Sequence, residues 1–271
     1  MGRYRGFLAV ADGVLTSADQ VVVDARDEGF LRGDGVFEVI RLYRGTPFAL
    51  DEHIDRMGTS AERLRLPFSP DDTARDVALL LGAAGPVDGA MRLLTTRGGF
   101  RLAVVEPIHQ LPPSLSLATV LYQPTGLMDG VKSLSYAGNM LARRLAKERG
   151  ADDALLVRPD GIVLEGPTSA FFYVRDGGLF TPPLSEGILA SITRDHLLRI
   201  TDATERSISA AELSRIDEAF LASTLREVHP VRTIDGRVLP GTEGELTGLV
   251  AEKMRDHVES MLPGAAIAAV S

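Results

Sequence analysis

The chain has 271 residues, 45% of them hydrophobic, and a formal net charge of −8. Its length and apolar content predict a fully globular protein with room for two domains, each with its own core. The negative charge and a pI near 5.2 argue against a general nucleic-acid-binding protein or a protein of anionic membrane surfaces, since neither polyanion would be attracted, and a small molecule is the expected partner.

The first half of the chain predicts strands and two amphipathic helices. The alternating residues 36–43 predict a strand with both faces covered. A helix is predicted over residues 51–66. A second helix is predicted from Pro70, with Ser69 as its N-cap, because a serine hydroxyl accepts from free backbone amides and proline suits the first turn. Two further strands are predicted at residues 91–96 and 115–123.

The second half predicts short strands and turns between helices. The predicted helices are one over about residues 137–149, one opening at Ser191, a short one at Ser209, where a capping box forms with Glu212, and a long one from about Glu243 to Met261. The predicted strands and hairpins are at residues 153–159, 162–166, 170–183, 218–224 and 231–240. The tail, residues 264–271, is expected to be frayed.

The composition of residues 124–130, PTGLMDG, is that of a linker and sets the predicted domain boundary. The expected organisation is a small N-terminal α/β domain at residues 1–123 and a large C-terminal domain at residues 131–271, where a cofactor would bind.

Several classes of site lack their sequence signatures. The chain has no cysteine, which excludes disulfides, thiolate nucleophiles and zinc sites of the Cys type. Its five histidines lack metal-ligand spacing, so no metal is expected. No dinucleotide, nucleoside-triphosphate or GxSxG hydrolase motif is present. The N-terminal apolar run is too short for a signal peptide and no apolar stretch is long enough to span a membrane, so a cytoplasmic location is expected.

Lys132 is the residue on which the functional interpretation depends. The chain has three lysines among 29 basic residues, and Lys147 and Lys253 lie in charge-rich amphipathic segments. Lys132 instead lies in a weakly polar segment that resembles a strand, GVKSLSY. Such an amine suits a Schiff base with a carbonyl, because burial or nearby cations lower the pKa of a lysine from its usual ~10.4. The alternative is a strand-edge lysine without a chemical role.

Two places offer donors for a phosphate. Ser191, Ile192 and Thr193 open a helix, where free backbone amides and the positive end of the dipole attract an anion. Ser223 and Thr224 end a predicted strand and offer two more hydroxyls with their amides. Ordinary helix capping and an ordinary turn are the alternatives.

Two charged residues, Arg56 and Glu165, are further candidates for the cofactor site. Arg56 lies between apolar residues of a predicted helix and is expected to point further inward than a typical surface arginine. Glu165 ends an apolar run, so its carboxylate is expected to be buried and to need a cationic partner, such as a protonated pyridine nitrogen. The alternatives are a solvated helix face for Arg56 and an arginine partner for Glu165. With Lys132, these groups fit a phosphate-bearing cofactor with a carbonyl.

Seven segments, spread over about residues 5–255, resemble the class IV aminotransferases that depend on pyridoxal 5'-phosphate (PLP), in content, order and spacing. They are GDGVFEVIRLYRG, DEHIDRMGTSAERL, VKSLSYAGNMLA, GIVLEGPTSAFF, DGGLFTPP, ILASITRD and STLREVHPVRTIDG. The family includes D-amino acid aminotransferase, branched-chain aminotransferase and aminodeoxychorismate lyase. The resemblance implies the fold type IV architecture, a two-domain α/β (α+β) subunit, and a homodimer.

The resemblance also implies roles for residues already singled out. Lys132 would form the Schiff base with PLP, and Glu165 would pair with the pyridine nitrogen. The residues expected at the phosphate are Arg56, Ser191, Ile192, Thr193, Ser223 and Thr224. Tyr136 would contact the phenolic oxygen, and Phe37, Arg97 and Arg101 are the candidate substrate-binding residues.

The expected reaction is ping-pong transfer of an amino group between a D-amino acid and a 2-oxo acid, because EHIDRMGTSAERL, VKSL and LASTLREVHPVRTIDG resemble D-amino acid aminotransferases most. Aminodeoxychorismate lyase, branched-chain aminotransferase and an inactive PLP-binding dimer are the alternatives. Ala170, Ser191 and Phe37 replace the Asn, Gly and Tyr common at these positions, which leaves the substrate class open. Arg32 and Arg226 are further candidates for the substrate carboxylate.

Overall fold

The computed structural model describes residues 7–108, 110–241 and 244–262. The chain forms two compact units. Unit 1 comprises Met1–His109, Val131–Tyr136 and Met261–Ser271, and unit 2 comprises Gln110–Gly130 and Ala137–Ser260.

This division differs from the predicted domains at three segments, one of which is residues 261–262, predicted in the second domain but found in unit 1. The sequence places residues 110–123 in the first domain, whereas they belong to unit 2. It places residues 131–136 in the second domain, whereas they belong to unit 1. Lys132 is therefore part of unit 1. The tail predicted to be frayed, residues 264–271, lies outside the described residues.

Unit 1 is built on a six-stranded antiparallel sheet. In chain order its strands are β1 (Leu8–Ala11), β2 (Val14–Ser17), β3 (Gly35–Tyr43), β4 (Thr46–Pro47), β5 (Gly89–Thr96) and β6 (Arg101–Glu106). They lie in the order β2-β1-β6-β5-β3-β4. The long strand β3 pairs with β5 along most of its length, from Gly35 opposite Thr96 to Leu42 opposite Gly89.

Three helices belong to unit 1: α1 (Glu28–Arg32), α2 (Leu50–Arg63) and α3 (Pro70–Ala84). Helices α2 and α3 supply the apolar side chains that pack on one face of the sheet. The buried cluster includes Val36, Ile40 and Leu42 of β3, Met57 and Ala61 of α2, Val77 and Leu80 of α3, and Met91 and Leu93 of β5. Alternate residues of β3 therefore face this core.

The helix ends of unit 1 follow local capping rules, with one correction. Ser69 accepts from the amide of Asp72 at 3.1 Å, which confirms it as the N-cap of α3. Helix α2 ends at Arg63, three residues before the predicted end, because Arg65 adopts a positive φ of 52° and the amide of Leu66 turns back to the carbonyl of Ala61 at 2.8 Å.

Unit 2 is built on an eight-stranded mixed sheet. In chain order its strands are β7 (Leu115–Leu121), β8 (Asp153–Val157), β9 (Ala170–Arg175), β10 (Gly178–Thr181), β11 (Thr204–Glu205), β12 (Glu218–Ser223), β13 (Glu227–Ile234) and β14 (Arg237–Val238). They lie in the order β11-β10-β9-β12-β13-β7-β8, with β14 on β13. Strand β7 pairs in parallel with β8 and β13, whereas β9 and β12 pair antiparallel.

Both faces of the unit 2 sheet are covered. On one face, Leu155, Phe171, Tyr173 and Leu221 lie in a cluster with Leu213 of a short 3-10 helix. On the other face, helix α4 (Ala137–Glu148) packs Ala142 and Ala146 against alanine and leucine side chains of β7 and β8. Helices α5 (Ile192–Ile200) and α6 (Glu245–Met261) complete the unit. This coverage explains the continuous apolar runs of the strands.

The capping box at Ser209 and Glu212 is confirmed, and it opens the 3-10 helix Ala210–Arg215. The predicted strand at residues 162–166 is wrong in part, since Val163 and Ile162 form isolated bridges rather than a continuous ladder. The short helix α1 is not predicted from the sequence. Its N-cap is Asp27, which accepts from the amides of Gly29 and Phe30.

Among the described helices, none is both long and apolar enough to cross a lipid bilayer. Within the described ranges, no group of three or more His, Cys, Asp or Glu side chains is arranged to hold a metal ion.

Candidate active site

The main chain of Lys132 is held by a strand and a helix of unit 1. Residues 132–134 run along the start of β3, where the amide of Phe37 donates to the carbonyl of Lys132 at 3.2 Å and the amide of Leu134 donates to the carbonyl of Gly35 at 2.8 Å. The amide of Lys132 donates to Oγ of Ser60 in α2 at 3.2 Å. The position of Lys132 in unit 1 is therefore fixed from two sides.

The amine of Lys132 lies over aromatic rings. Its Nζ is 4.5 Å from the centroid of the Phe37 ring and 5.7 Å from that of Tyr136. The two rings meet edge to face at 5.2 Å. The faces of such rings attract a cation and exclude water. Unit 1 thus brings together three of the predicted site residues.

Arg56 is engaged by a buried carboxylate. Nε and Nη2 of Arg56 donate to the two oxygens of Glu38 at 2.7 and 2.6 Å, and Nδ1 of His53 lies 2.8 Å from Oε2 of Glu38. The side chains of Glu38 and His53 are 0% exposed, and that of Arg56 is 13% exposed. Arg56 does lie inward, as predicted, but the sequence does not reveal Glu38 and His53 beside it.

Burial and charge act in opposite directions on this cluster. Burial alone would raise the pKa of Glu38, but the charge of Arg56 and the hydrogen bonds from His53 and Arg56 outweigh it and lower the pKa to about 2. Burial lowers the pKa of His53, and the hydrogen bond to Glu38 offsets this only in part. His53 is therefore neutral near pH 7 and donates its Nδ1 proton to the Glu38 carboxylate.

Arg92 is a residue that sequence reasoning missed. Its guanidinium donates to both oxygens of Glu106 at 2.8 and 2.9 Å, and its Cζ lies 5.9 Å from the ring centroid of Phe37. Arg92 is opposite Val39 in the ladder of β3 and β5, on the same face of the sheet as Phe37. The pairing of β3 with β5 is the signal that identifies Arg92, and the sequence alone does not give that pairing.

The predicted carboxylate-binding arginines of unit 1 all have partners. Arg97 pairs with Asp34 and donates to the carbonyls of Leu64 and Arg65 at 2.8 and 3.1 Å. Arg101 donates to Asp76 at 3.0 Å. The third, Arg32, is an exposed partner of Glu28 on α1. None of these three contacts involves Lys132 or Phe37.

Glu165 belongs to unit 2 and is half-buried, less than expected. Its Oε1 accepts from the amide of Leu189 at 3.0 Å. Burial raises the pKa of Tyr122, and the charge of Glu165 raises it further. Asn139 lies beside them, accepting from the Tyr122 hydroxyl at 3.4 Å and donating to the carbonyl of Pro167 at 2.8 Å. Asn139 thus holds the main chain two residues after Glu165, and Tyr122 bonds Asn139. Sequence reasoning missed both residues.

The N-terminus of α5 is formed as predicted. Ser191 is the N-cap, and its Oγ accepts from the amide of Arg194 at 3.3 Å. Ile192 and Thr193 occupy the first turn and are buried. Arg194, which is also buried, donates to the carbonyl of Pro182 at 2.8 Å and pairs with Glu205. The first amides of a helix lack intrahelical acceptors, so this end of α5 offers donors to an anion.

Ser223 and Thr224 lie where β12 ends. The chain turns there, with the amide of Arg226 donating to the carbonyl of Ser223 at 3.0 Å. The side chain of Arg226 is buried and donates to Asp153 at 2.5 Å. Arg226 thus anchors the turn that carries Thr224 to β8.

The groups that unit 2 offers have the chemistry that a phosphorylated pyridine needs. The first amides of α5 and the hydroxyls of Ser223 and Thr224 can donate to a phosphate. The Glu165 carboxylate can accept from a protonated ring nitrogen. This set of donors and acceptors fits PLP.

Ala170, where the family pattern has Asn, is the first residue of β9 and is buried opposite Ala222 of β12. Two small apolar side chains therefore meet at that rung of the sheet.

Comparison with known proteins gives the same family. The model of the family "Amino-transferase class IV" matches residues 35–234. The chain is 33% identical to a putative branched-chain-amino-acid aminotransferase of Methanocaldococcus jannaschii, over 90% of this chain and 94% of that protein. It is 31% identical to the D-alanine aminotransferase of Bacillus licheniformis, over 92% and 96% of the two chains.

Solved structures show the same fold. A branched-chain aminotransferase from Thermoproteus uzoniensis with norvaline superimposes with a TM-score of 0.87 at 30% identity, covering 96% of this chain and 97% of that one. A hypothetical aminotransferase from Mycobacterium tuberculosis in its PLP-bound form superimposes with a TM-score of 0.85 at 28% identity, covering 94% and 99%. The predicted fold type IV architecture and the PLP cofactor are confirmed. The chain belongs to the class IV aminotransferase family, whose members depend on PLP.

Proposed function

We propose that this aminotransferase moves an amino group between a D-amino acid and a 2-oxo acid by a ping-pong mechanism. The observation that carries the choice of substrate is the similarity to the D-alanine aminotransferase of B. licheniformis, which extends over 92% of this chain and 96% of the relative. The segments EHIDRM and VKSL, which surround Arg56 and Lys132, add to it.

Lys132 is the residue that binds the cofactor covalently and moves the proton in this proposal. When bound, PLP supplies the electron sink that allows the α-proton of an amino acid to be removed. The amine of Lys132 takes that proton and returns it, acting as general base and then as general acid. The rings of Phe37 and Tyr136, 4.5 and 5.7 Å from Nζ, shield the amine from water and orient it.

The other proposed roles follow from the chemistry of each group. Glu165 holds a proton on the pyridine nitrogen through its carboxylate, and Tyr136 contacts the phenolic oxygen. Arg56 binds the phosphate through its charge. The amides and hydroxyls of α5 and of the turn after β12 bind it by hydrogen bonds. The residues in this last group are Ser191, Ile192, Thr193, Ser223 and Thr224.

The substrate carboxylate needs a cationic or amide partner. Phe37, Arg97 and Arg101 remain the proposed substrate-binding residues, and the place of Arg92 beside the Phe37 ring adds a fourth. Substituting each arginine by lysine would raise KM for the amino acid at the residue that makes the contact, and leave it unchanged at the others.

A branched-chain aminotransferase is the second candidate. Its support is the 33% identity to the putative enzyme of M. jannaschii and the TM-score of 0.87 with the T. uzoniensis structure. An enzyme of that class would take L-leucine, L-isoleucine and L-valine in place of D-alanine.

Absorbance changes of the PLP-loaded enzyme with single amino acids test the choice. We expect D-alanine to convert the cofactor to its aminated form and to release pyruvate in continued turnover only when 2-oxoglutarate is added. Reaction with L-branched-chain amino acids alone would favour the second candidate. Release of pyruvate from aminodeoxychorismate without an acceptor would identify a lyase, and no response to any substrate would indicate an inactive PLP-binding protein.

We also propose that the enzyme is a homodimer. The support is the exposure of two consecutive apolar side chains of α1, Phe30 and Leu31, because neighbouring apolar side chains on a globular surface are typical of an interaction site. Light scattering of the purified protein measures the mass. A monomer would refute the proposal. A cytoplasmic location stays a prediction from the sequence.

A further inference from the structure

Glu38 is a fully buried carboxylate in the middle of an otherwise apolar strand face. It lies between Val36 and Ile40, which belong to the core of unit 1. A buried charge of this kind is expensive unless it is paired and hydrogen-bonded. A leucine or valine at position 38 would continue the apolar face of β3. Packing of the core therefore does not explain why a carboxylate stands at this position.

The carboxylate is saturated by two residues of one helix. Nε and Nη2 of Arg56 lie 2.7 and 2.6 Å from its two oxygens, and His53 lies 2.8 Å from Oε2. His53 and Arg56 are three positions apart on α2, so they project from the same face. A planar guanidinium bound through one edge by two parallel hydrogen bonds cannot rotate about its long side chain.

These two bonds engage the edge of the guanidinium that carries Nε and Nη2, so Nη1 points away from the carboxylate. The side chain of Arg56 also retains 13% of its surface exposed, whereas those of Glu38 and His53 retain 0%. Arg56 is therefore the member of the cluster that reaches the surface of unit 1, and Glu38 determines the direction in which it does so.

The same two elements hold Lys132. Phe37, the neighbour of Glu38 in β3, donates its amide to the carbonyl of Lys132. Ser60, one turn after Arg56 in α2, accepts from the amide of Lys132. A shift of α2 relative to β3 would move Arg56 and Lys132 together, and the bonds from Glu38 to α2 oppose that shift.

We propose that Glu38 is a positioning residue for cofactor binding, which fixes the guanidinium of Arg56 in the orientation that binds the phosphate of PLP. This proposal rests on the proposed role of Arg56 at the phosphate. His53 assists by donating a hydrogen bond to Oε2 of Glu38, the oxygen that also accepts from Nη2 of Arg56.

If Glu38 acts through its charge or if it acts by orienting Arg56, the Glu38→Gln substitution changes phosphate binding in opposite directions. If Glu38 acted only through its charge, Glu38→Gln would remove the counter-ion of Arg56 and strengthen the attraction between Arg56 and a phosphate. If Glu38 acts by position, the same change weakens phosphate binding, because a glutamine amide cannot accept both hydrogen bonds of the guanidinium.

The experiment compares PLP with pyridoxal, which has the same aldehyde and ring but no phosphate. Dissociation constants are measured for the full-length apoprotein by absorbance or fluorescence titration. We expect Glu38→Gln to weaken PLP binding by about 10-fold, the equivalent of ~1.4 kcal/mol, and to leave pyridoxal binding unchanged. Unchanged or tighter binding of PLP would overturn the proposal, as would equal weakening of both ligands.

Two further variants keep the test decisive if Glu38→Gln folds poorly. Glu38→Asp keeps the charge but shortens the side chain, and we expect it also to weaken PLP in preference to pyridoxal. Glu218→Gln is the matched control: Glu218 is a buried carboxylate of unit 2 that accepts from the amide and hydroxyl of Thr247 at 2.8 and 2.6 Å. It is expected to lower the melting temperature without changing the ratio of the two dissociation constants, and a changed ratio would contradict us.

Arg56→Ala separates this proposal from the one on which it rests. We expect Arg56→Ala to abolish most of the preference for PLP over pyridoxal, and Glu38→Gln to add little in the double variant, because a residue that acts through Arg56 has no effect without it. If Arg56→Ala leaves the preference intact, the role of Arg56 at the phosphate is wrong. If Arg56→Ala abolishes it but the effects of the two variants add, Glu38 does not act through Arg56.

Discussion

The two units place their candidate site residues by different means. In unit 1, the candidates Arg56 and Lys132 have long ionisable side chains and are held by partners distant in sequence: Arg56 by Glu38, and the main chain of Lys132 by Ser60 and Phe37. In unit 2, the donors are backbone amides and short hydroxyls at the start of α5 and the end of β12. Local backbone geometry places these donors, with Ser191 as the cap.

This difference has consequences for how each part tolerates substitution. A site built from side chains loses its function when one atom group is removed, since no neighbour can supply an amine or a guanidinium. A site built from backbone amides survives most side-chain changes, because the amides remain in place. Substitutions at Lys132 and Arg56 in unit 1 are therefore expected to have larger effects on activity than substitutions at the start of α5 or the end of β12 in unit 2.

Lys132→Ala is expected to have the largest effect. Under the proposed roles, this amine binds the cofactor and moves the proton, so its removal should lower the rate of the half-reaction by at least about 10³-fold, while the protein stays folded. Stopped-flow absorbance with a reactive amino acid measures the rate. Lys147→Ala, which removes an exposed lysine of α4, is the control and should react like the wild type. Normal half-reaction rates in the Lys132→Ala variant would contradict the proposed role of this amine.

Glu165→Gln is expected to come next. An amide cannot hold a proton on the pyridine nitrogen, so we expect the half-reaction to slow by about 10²-fold, while PLP still binds through the phosphate donors. Glu165→Asp keeps the negative charge and should lose less. Rates equal to the wild type in Glu165→Gln would show that the carboxylate has no role in the reaction.

The buried cluster of unit 1 predicts that the protein loses stability in acid in two steps. The pKa of Glu38 is lowered from 4.5 to about 2, so its contribution to the free energy of unfolding is present above pH 4.5 and is lost as the pH falls towards 2. The pKa of His53 is lowered from 6.5, chiefly by burial. Below pH 6.5 the unfolded chain therefore binds a proton that the native His53 does not, and stability again falls as the pH falls.

Urea unfolding at a series of pH values measures these steps. Each group changes the free energy of unfolding by at most about 1.4 kcal/mol per pH unit. His53→Asn should remove the part of the slope that begins below pH 6.5, and Glu38→Gln the part between pH 4.5 and 2. The same slopes in both variants as in the wild type would mean that other groups cause the loss in acid.

The smallest effects on activity are expected from substitutions of the helix N-caps, and the two caps, one in each unit, should differ in their effect on PLP binding. Ser191→Ala and Ser69→Ala each remove an N-cap hydroxyl and should each cost about 1 kcal/mol of stability. Only Ser191→Ala should also weaken PLP binding, by a few-fold, because α5 and not α3 is the helix proposed to donate its amides to the phosphate. Equal PLP affinities in the two variants would show that α5 does not contribute to phosphate binding.

The sequence predicts the features that depend on residues close to one another in the chain. The caps at Ser69, Ser191 and Ser209 are confirmed, because a cap depends on residues three positions away. The fold is likewise predicted, through the order and spacing of the seven family segments. Turn residues and apolar periodicity predict most strands, since both are local.

The features that the sequence does not predict depend on contacts between distant residues. The partners of Glu38 are 15 and 18 positions along the chain, and its own place in β3 looks like one more residue of a covered strand. The helix α1 is only five residues long and is fixed by Asp27, which also accepts from Thr96, 69 positions away. The assignment of Lys132 to unit 1 depends on its bonds to β3 and α2, which no local pattern encodes.

Covalent labelling is the most direct test of the central claim, that Lys132 is the amine that binds the cofactor. The purified protein is incubated with PLP, reduced with borohydride, digested and mapped by mass spectrometry. With only three lysines in the chain, the assignment is unambiguous. We predict a reduced pyridoxyl group on Lys132 and none on Lys147 or Lys253. A protein that takes up no label, or takes it up at either of the other two lysines, would contradict the account.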